Sequence, residues 1–553
     1  MTKGADLFIP TTRRLAPLMA LLVLVPLAAG CAKKAAEAPA VAASPTVDHG
    51  DGIPWFGGTV EEAFAKAKTE RRPVFLYWGA VWCPPCHVLR TRLFPRPEFR
   101  ARLAATVPVY LDGDTERAQI WGEKLKTAGY PTVIVFDADG REVMRINALI
   151  SVDQYMKTLA AALDATRPIP ELVEQVDAAG AASLTPAERN LLAFYSWYQD
   201  QTGLDLAGRR ALFDRLWRET PDGERVEKAR FLMLWLGEAA GSDDATPALA
   251  MAADERARRA AAVREILAER ELRNTNLDVV LYGAGDAAWL MPEPGAEREG
   301  LVAAWNDATL AVENDERLTA QERLAALFGA LQLVRLDVPE GESPPAPSAE
   351  LQERVRARVR WASETVTDKD ELQGVMNTMG DLLESAGMVD EVRALLAEKG
   401  AQTVAPYYFV SWQAALEEDA GRAEEAVRLY REAWQGARAG GSGAGMTPLR
   451  WGTTYLRKAM TLTPEANPAI AADSATILAE ALATSEAFVG GNWSRLQSIT
   501  KGLDAWQQGD AARGEIAAAL RARIGAACPA LPADGPDSPG VRCRSLAGDA
   551  AAG

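Results

Sequence analysis

The pattern of apolar residues changes near residue 166, and this change constrains the fold more than any other feature of the sequence. Over residues 52–166, continuous apolar runs typical of buried strands alternate with patterns typical of helices. Over residues 170–546, strand signals nearly vanish, and Ala, Leu, Glu and Arg recur at helical spacing between Gly and Pro turns. The sequence therefore predicts a multidomain protein, in which an α/β domain precedes a large all-α region of helical hairpins.

The α/β segment is predicted to run helix, strand, helix, strand, helix, strand, strand, helix. Capping-box spacings at residues 59–62 and 151–154 mark the start of its first and last helices. Four strands are predicted, at residues 74–78, 107–111, 132–136 and 142–146. Pro95 should kink or end the second helix, and the third should begin at Asp114 or Thr115 and end near Gly129.

The motif Cys-Pro-Pro-Cys at residues 83–86 opens the helix that follows the first strand. Proline is tolerated there, because the first-turn amides of a helix have no intrahelical partner. Two cysteines at this spacing can close a small ring reversibly, and a helix N-terminus lowers the pKa of a thiol placed at it. Such a thiolate attacks a substrate disulfide, and the second thiol resolves the mixed disulfide. We therefore predict a redox centre at Cys83 and Cys86.

Two motifs in this order give the segment its family likeness. Trp82 precedes the cysteine motif, and Gly-Tyr-Pro-Thr at residues 129–132 precedes a later strand. The segment resembles the thioredoxin family, and its Trp-Cys-Pro-Pro-Cys variant is similar to exported reductases of that family. The resemblance implies that Cys83 is the exposed attacking thiol and Cys86 the resolving thiol.

The resemblance also assigns roles around the redox pair. It implies a cis peptide bond before Pro131, in a loop that lies against the two cysteines. Trp82 would shield the site, while Tyr130, Pro131 and Thr132 would bind an extended protein substrate.

One position departs from the family pattern, and the role of another is not decided by the sequence. Thioredoxins carry a buried acidic residue on the strand before the motif, and by spacing that place falls at Tyr77. The family's proton shuttle is therefore missing or relocated. His87 follows the resolving thiol and could tune or relay protons. On exposure grounds, we expect it instead to face solvent on its helix.

Three other interpretations of the motif are weaker. Residues 83–87 match the C-x-x-C-H pattern of haem attachment, but a strand and a proline loop surround them rather than helices with a distal ligand. Zinc would need further ligands, and the only other histidine is His49. A purely structural disulfide would stabilise little, because the loop is so short. We predict no cofactor and no metal.

The N-terminus has the pattern of a lipoprotein signal peptide over residues 1–30. A positively charged start precedes an apolar stretch that is short for a membrane span. Leu-Ala-Ala-Gly-Cys, ending at Cys31, resembles a bacterial lipobox and implies acylation of that cysteine. An ordinary secretory signal or an uncleaved anchor is the alternative.

Residues 31–51 are rich in Ala and Pro, as in a flexible tether. The predicted location is the cell envelope, lipid-anchored and facing the periplasm. Because Ala32 follows Cys31, the outer membrane is favoured over the inner one.

The remaining cysteines, Cys528 and Cys543, flank a Pro/Gly/Asp-rich loop. In an oxidising compartment they are predicted to form a structural disulfide, which contributes about 3 kcal/mol in the chain-entropy model. Two free thiols in a frayed tail are the alternative. With Cys31 acylated, the five cysteines divide into one lipid anchor and two pairs.

The helical region contains a recurrence of 34 residues. Gly387, Val392 and Leu396 recur as Gly421, Ala426 and Tyr430. With Ala433, the second set resembles the second half of a tetratricopeptide repeat, whereas the first half of that motif matches poorly. Residues 440–445 are glycine-rich and displace the next repeat, and residues 339–347 form a predicted linker. The apolar stripes are expected to form core rather than a binding groove.

Together these features predict a thiol-disulfide oxidoreductase that reduces client disulfides in the bacterial cell envelope. Its predicted partners are a protein disulfide substrate, an electron donor protein and the membrane, through the lipid anchor at Cys31. The formal charge of −16 argues against a nucleic-acid partner. The alternative is a lipoprotein scaffold, whose helical array binds partner proteins while the thioredoxin fold is ancillary.

Overall fold

The computed structural model describes most of the sequence that follows residue 51. The described residues are 52–146, 150–199, 201–240, 251–285, 295–336, 338, 345–440, 446–465 and 468–548. The predicted signal peptide, Cys31 and the tether lie outside them, as do residues 339–344 of the predicted linker and residues 441–445 of the glycine-rich stretch. Among the described residues, no helix has both the length and the apolar character needed to cross a bilayer.

The α/β segment is built on a four-stranded sheet, and the predicted fold class is confirmed. Its strands are β1 (Val74–Gly79), β2 (Val107–Asp112), β3 (Thr132–Phe136) and β4 (Glu142–Ile146). The strand order is β2-β1-β3-β4, with β1 parallel to β2 and the other neighbours antiparallel. Every residue of the two central strands is buried, which explains why their sequences are continuously apolar.

Five helices belong to this segment: α1 (Val60–Glu70), α2 (Pro84–Arg92), α3 (Pro97–Ala104), α4 (Glu116–Lys124) and α5 (Val152–Leu163). Helix α3 is an addition to the predicted order, and it begins with Pro97 in its first turn, where proline is tolerated. Helix α4 ends earlier than predicted, because the backbone turns at Lys126, whose φ of 50° is left-handed.

The described residues after 166 are mostly helical, as predicted. The helices are α6 (Ile169–Ala179), α7 (Pro186–Phe194), α8 (Leu206–Glu219), α9 (Arg225–Ala240), α10 (Ala253–Ala268), α11 (Arg270–Thr275), α12 (Leu277–Tyr282), α13 (Ala296–Glu313), α14 (Ala320–Leu333), α15 (Ala349–Thr365), α16 (Lys369–Ser385), α17 (Val389–Lys399), α18 (Pro406–Asp419), α19 (Ala423–Ala439), α20 (Thr447–Leu462), α21 (Pro468–Leu482), α22 (Gly490–Trp506), α23 (Ala511–Ala527) and α24 (Pro539–Ala547).

The two faces of the sheet belong to different cores. Val74, Leu76 and Trp78 point to the side of α1 and form a small cluster with it. Phe75 and Tyr77 point to the other side and join a cluster that continues through the helical region. The α/β segment and the helices therefore share a hydrophobic core instead of meeting only at their surfaces.

The helical region also extends the open edge of the sheet. Tyr195 forms an isolated bridge with Ile146 of β4, and the amide of Ser196 donates to the carbonyl oxygen of Arg145 at 2.8 Å. This pairing covers part of an edge strand, whose backbone groups would otherwise be unpaired.

The glycines of the 34-residue recurrence lie in two loops, each of which connects one helix to the next. Gly387 lies between α16 and α17, and Gly421 lies between α18 and α19. Their φ angles of 78° and 73° are left-handed, a conformation that glycine adopts without steric cost. The assignment to a tetratricopeptide repeat stays a prediction.

Candidate redox site beneath the helical region

The cysteine motif lies where β1 passes into α2. Cys83 is the N-cap of α2, and its Sγ accepts a hydrogen bond from the amide of Cys86 at 3.3 Å. The two cysteines form a disulfide, and their Cα atoms are 5.3 Å apart. The first turn of α2 contains no acidic residue. After reduction, the positive end of the helix dipole would therefore favour a thiolate at Cys83.

The proline loop lies beside the tryptophan of the motif. The Tyr130–Pro131 peptide bond is cis, as the resemblance implies. The Tyr130 ring meets Trp82 edge-on, with centroids 5.6 Å apart, and its hydroxyl donates to the carbonyl oxygen of Gly113 at 3.1 Å. Burial raises the pKa of Tyr130 to about 12, so it remains a neutral donor. Both predicted substrate-contacting aromatics thus lie together at the motif.

Thr132, a third predicted substrate-binding residue, contacts the helical region. Its hydroxyl lies 2.7 Å from the carbonyl oxygen of Gly129 and 2.9 Å from Oε1 of Gln199. The residue is 2 % exposed. In this arrangement Thr132 joins the sheet to the segment before α8 and presents no open surface to a substrate.

Cys83 is covered, which corrects the expectation that the attacking thiol is exposed. Only 3 % of Cys83 and none of Cys86 is accessible to solvent. Around the motif, α16 packs against α2, and α18 and α20 contact Trp82. These helices, which we call the cover, belong to the helical region and lie almost 300 residues or more further along the sequence. A local sequence pattern contains no information on such a contact.

His87 is fully buried, so the expectation that it faces solvent is wrong. Helix α16 packs against α2 and encloses the imidazole. Nδ1 lies 2.8 Å from Oδ1 of Asp370, and Nε2 lies 2.7 Å from the carbonyl oxygen of Val81. Both ring nitrogens therefore have a hydrogen-bond partner. Neither nitrogen is presented as a haem ligand in this arrangement.

Gln373 on α16 joins the motif to the rest of the cover. Its Nε2 donates to the carbonyl oxygen of Trp82 at 2.9 Å, and its Oε1 accepts from the amide of Ala405 at 3.0 Å. Both bonds are buried, so replacing this residue by an apolar one would leave polar groups of two segments without partners.

Asp114 anchors the other side of Trp82. Its Oδ2 accepts hydrogen bonds from Nε1 of Trp82 at 2.7 Å and from the hydroxyl of Thr447 at 2.6 Å. Its backbone carbonyl accepts from the amide of Met446 at 2.8 Å, and Nε of Arg450 lies 3.5 Å from Oδ1. The sequence indicated Asp114 only as a possible helix start, whereas the structure places it between the motif and α20.

A second buried carboxyl lies close to this aspartate. Asp112 ends β2 opposite Gly79 of β1, and its Oδ1 accepts from the amide of Asp114 at 3.2 Å. Burial, and then the nearby charge of Asp114, raises the pKa of Asp112 to about 7. Tyr77, at the family's acidic position, stacks on Tyr110 with centroids 5.4 Å apart. The buried carboxyl that titrates near neutral pH is thus on the neighbouring strand.

Cys528 and Cys543 form the second disulfide, with Cα atoms 5.4 Å apart. Cys528 is the C-cap of α23, and Cys543 lies in α24, so the bond joins the last two helices. Sγ of Cys528 lies 3.1 Å from the carbonyl oxygen of Ile524. Both residues are buried. Across the described ranges, no three or more His, Cys, Asp or Glu side chains are grouped so as to hold a metal ion.

Comparison with known families supports this description of the α/β segment. Residues 60–163 match the family model of the thioredoxin-like domain, from the first residue of α1 to the last of α5. The match includes the cysteine motif and the cis-proline loop, so this segment is a thioredoxin-like domain. No curated protein sequence matches the protein.

Proposed function

We propose that this protein is a thiol-disulfide oxidoreductase of the bacterial cell envelope that reduces disulfides in client proteins. The observation that carries the proposal is the position of Cys83 at the N-cap of α2 in a thioredoxin-like domain, within bonding distance of Cys86. A helix N-terminus stabilises a thiolate, and the neighbouring thiol can displace a trapped client.

The proposed reaction moves two electrons from the cysteine pair to the client. The thiolate of Cys83 attacks one sulfur of the client disulfide, forms a mixed disulfide and releases the other client sulfur as a thiolate. Cys86 then loses its proton and attacks Sγ of Cys83, which re-forms the internal disulfide and releases the first client sulfur. A dithiol protein acting as electron donor would restore the reduced pair.

The proposed location rests on residues at both ends of the sequence. The signal-like residues 1–30 and the lipobox ending at Cys31 support export, acylation and an anchor in the outer membrane. The disulfide between Cys528 and Cys543 suits an oxidising compartment, where such bonds persist.

Single cysteine variants of the full-length protein test this function. With the protein reduced and mixed with a disulfide-containing substrate, Cys83→Ser should lower the rate of substrate reduction on the order of a thousandfold. Cys86→Ser should instead accumulate a mixed disulfide at Cys83, visible by mass. The matched control is Cys528→Ser with Cys543→Ser, which should keep the rate. Substrate reduction by Cys83→Ser at the normal rate would contradict the proposal.

The burial of the redox pair favours a second candidate, the lipoprotein scaffold. Trp82 is 9 % exposed and Cys83 3 %, so the thioredoxin-like domain presents its reactive face to its own helices. For a scaffold, a double variant with Cys83→Ser and Cys86→Ser would retain its partner proteins and its cellular role. An oxidoreductase would lose that role.

A further inference from the structure

We infer that the helical region is an intramolecular partner of the redox face, which it occupies, and that a client protein reaches Cys83 only when α16, α18 and α20 move away. This inference rests on the proposed function and adds how access to that same site is controlled. Three kinds of contact carry it, and each joins residues around the motif to a helix distant in sequence.

The first contact is aromatic and surrounds Trp82. Tyr408 of α18 stacks on its ring with centroids 6.1 Å apart, and Trp451 of α20 meets it edge-on at 6.2 Å. The guanidinium of Arg450 lies 4.5 Å from the centre of the same ring. The tryptophan predicted to shield the site is therefore enclosed by helices, and no ring face is left for a client.

The second contact is polar and uses two backbone carbonyl groups and one side chain of the thioredoxin-like domain. Gln373 donates to the carbonyl oxygen of Trp82, and Met446 donates to that of Asp114. The amide of Gly491, at the start of α22, donates to Oε1 of Gln119 at 2.7 Å. An extended client would need groups of this kind for its own hydrogen bonds, and the helical region already uses them.

The third contact links acidic side chains in the first turn of α16 to polar and basic side chains of α2. Asp370 pairs with His87 at 2.8 Å and lies 3.6 Å from Arg90, and Glu371 pairs with Arg92. The Asp370 and Glu371 side chains are partly exposed, at 38 % and 28 %. Both side chains of the Arg92–Glu371 pair are partly hydrated, so this pair can separate at a smaller cost than a fully buried one.

Glycine at position 374 lets α16 approach α2 closely. A Cβ there would lie 3.1 Å from Cγ2 of Val88 and 3.4 Å from its backbone nitrogen. A larger side chain would therefore separate the two helices. The nearest atom is a methyl carbon of Val88, and the few rotamers of valine leave this side chain little freedom to move aside.

The contacts together explain how access is controlled. Disulfide exchange requires a client sulfur to approach Sγ of Cys83 from outside, and that approach is closed here. Because Trp82 and Trp451 belong to the same hydrophobic cluster, opening must separate α20 from the motif within that cluster. A ligand or client that binds the open form would shift the population toward it.

Full-length variants that weaken the cover test the inference. One variant, Gly374→Val, places a larger side chain between α16 and α2. The other combines Asp370→Asn with Glu371→Gln and so weakens the polar pairs between the same helices. For each reduced protein we would measure the rate of reduction of insulin and of a small aromatic disulfide. Both variants should reduce insulin about tenfold faster than the wild type or more, and the gain should be smaller for the small disulfide.

The protein offers a matched control for the charge variant. Asp390 and Glu391 are also the second and third residues of a helix, α17, and they pair with Arg393 and Arg356 at 2.7 and 2.8 Å. These partners belong to the helical region. Asp390→Asn with Glu391→Gln should therefore leave the insulin rate at the wild-type value.

Hydrogen exchange separates opening from unfolding. In Gly374→Val, amide exchange should rise in α2 while β1 and β3 stay protected, because the atoms nearest to the new side chain belong to α2. Equal rates of insulin reduction in the wild type, in Gly374→Val and in the Asp370/Glu371 variant would overturn the inference. It would also be overturned if the α17 control reduced insulin as fast as these two variants. If no protein reduces either disulfide while its cysteines still cycle, the proposed function fails and the inference with it.

Discussion

The two disulfides among the described residues are both buried, yet they lie at opposite ends of helices. Cys83 caps the N-terminus of α2 and accepts a hydrogen bond from the amide of Cys86. Cys528 caps the C-terminus of α23, with its sulfur 3.1 Å from the carbonyl oxygen of Ile524. The helix dipole favours a negative sulfur at the first position and disfavours one at the second.

The loops that the two bonds close differ as well. The cysteines of the first pair are three positions apart in sequence, and those of the second are 15 apart. In the chain-entropy model the longer loop yields about 3 kcal/mol and the shorter about half of that. We therefore expect the first pair to react and the second to stabilise the fold, although burial alone does not distinguish them.

The largest expected difference is in thiol reactivity. In the fully reduced native protein at pH 6, a small alkylating reagent should modify Cys83 on the order of a hundredfold faster than Cys528, because only Cys83 faces helix amides. Mass spectrometry of the two peptides over time measures both rates. The ratio should narrow at higher pH, once the Cys528 thiol begins to ionise as well. Equal rates at pH 6 would show that the helix termini do not separate the two pairs.

The next difference is in the free energy of unfolding, and here the larger effect is expected for the Cys528–Cys543 bond. Replacing Cys528 and Cys543 by serine should lower the free energy of unfolding by about 3 kcal/mol, and replacing Cys83 and Cys86 by about 1.5 kcal/mol. Urea titrations followed by circular dichroism measure both values. A larger loss for the short loop would contradict the assignment of roles.

The smallest effect concerns pH and the carboxyl of Asp112. Its pKa is raised to about 7 in the folded protein, so the folded state holds a proton that the unfolded state releases near pH 4. The free energy of unfolding should therefore fall as the pH rises from about 4 to about 7. Asp112→Asn has no carboxyl to ionise, so its free energy of unfolding should not fall in this way. At pH 8 it should be higher than that of the wild type by about 2 kcal/mol or less.

Asp381 provides the matched variant in the helical region, because burial raises its pKa to about 7 as well. Asp381→Asn should raise the free energy of unfolding by a similar amount at pH 8 and should leave it unchanged near pH 4. If the thioredoxin-like domain and the helices unfold as one unit, each substitution should shift a single common transition. Two transitions, each moved by only one substitution, would contradict the shared core.

The sequence predicts what local residues determine. Continuous apolar runs identify β1 and β3, and the prolines and cysteines at residues 83–86 identify a helix N-terminus. Helix α3 escaped prediction, although Pro97 and Glu98 at its start are typical of a first turn. The early end of α4 depends on a left-handed residue, Lys126, that has no special sequence signal.

The environment of the site could not be predicted, because it depends on contacts across hundreds of residues. His87 and Asp370 are 283 positions apart, and Asp114 and Thr447 are 333 apart. The residue type of His87 fits both a solvent-facing helix position and a buried one, and only the packing of α16 on α2 decides between them. The acidic pair at residues 112 and 114 was the one local signal of buried charge, since it lies at the end of a buried strand.

We propose that Cys83 and Cys86 form a reversible redox pair, whereas Cys528 and Cys543 form a permanent bond. The decisive experiment equilibrates the full-length protein with glutathione buffers and locates the free thiols by mass. We expect a reversible two-electron transition at Cys83 and Cys86, while the second bond stays oxidised down to about −300 mV. No reversible transition at the first pair, or a transition of both pairs in the same range, would contradict it.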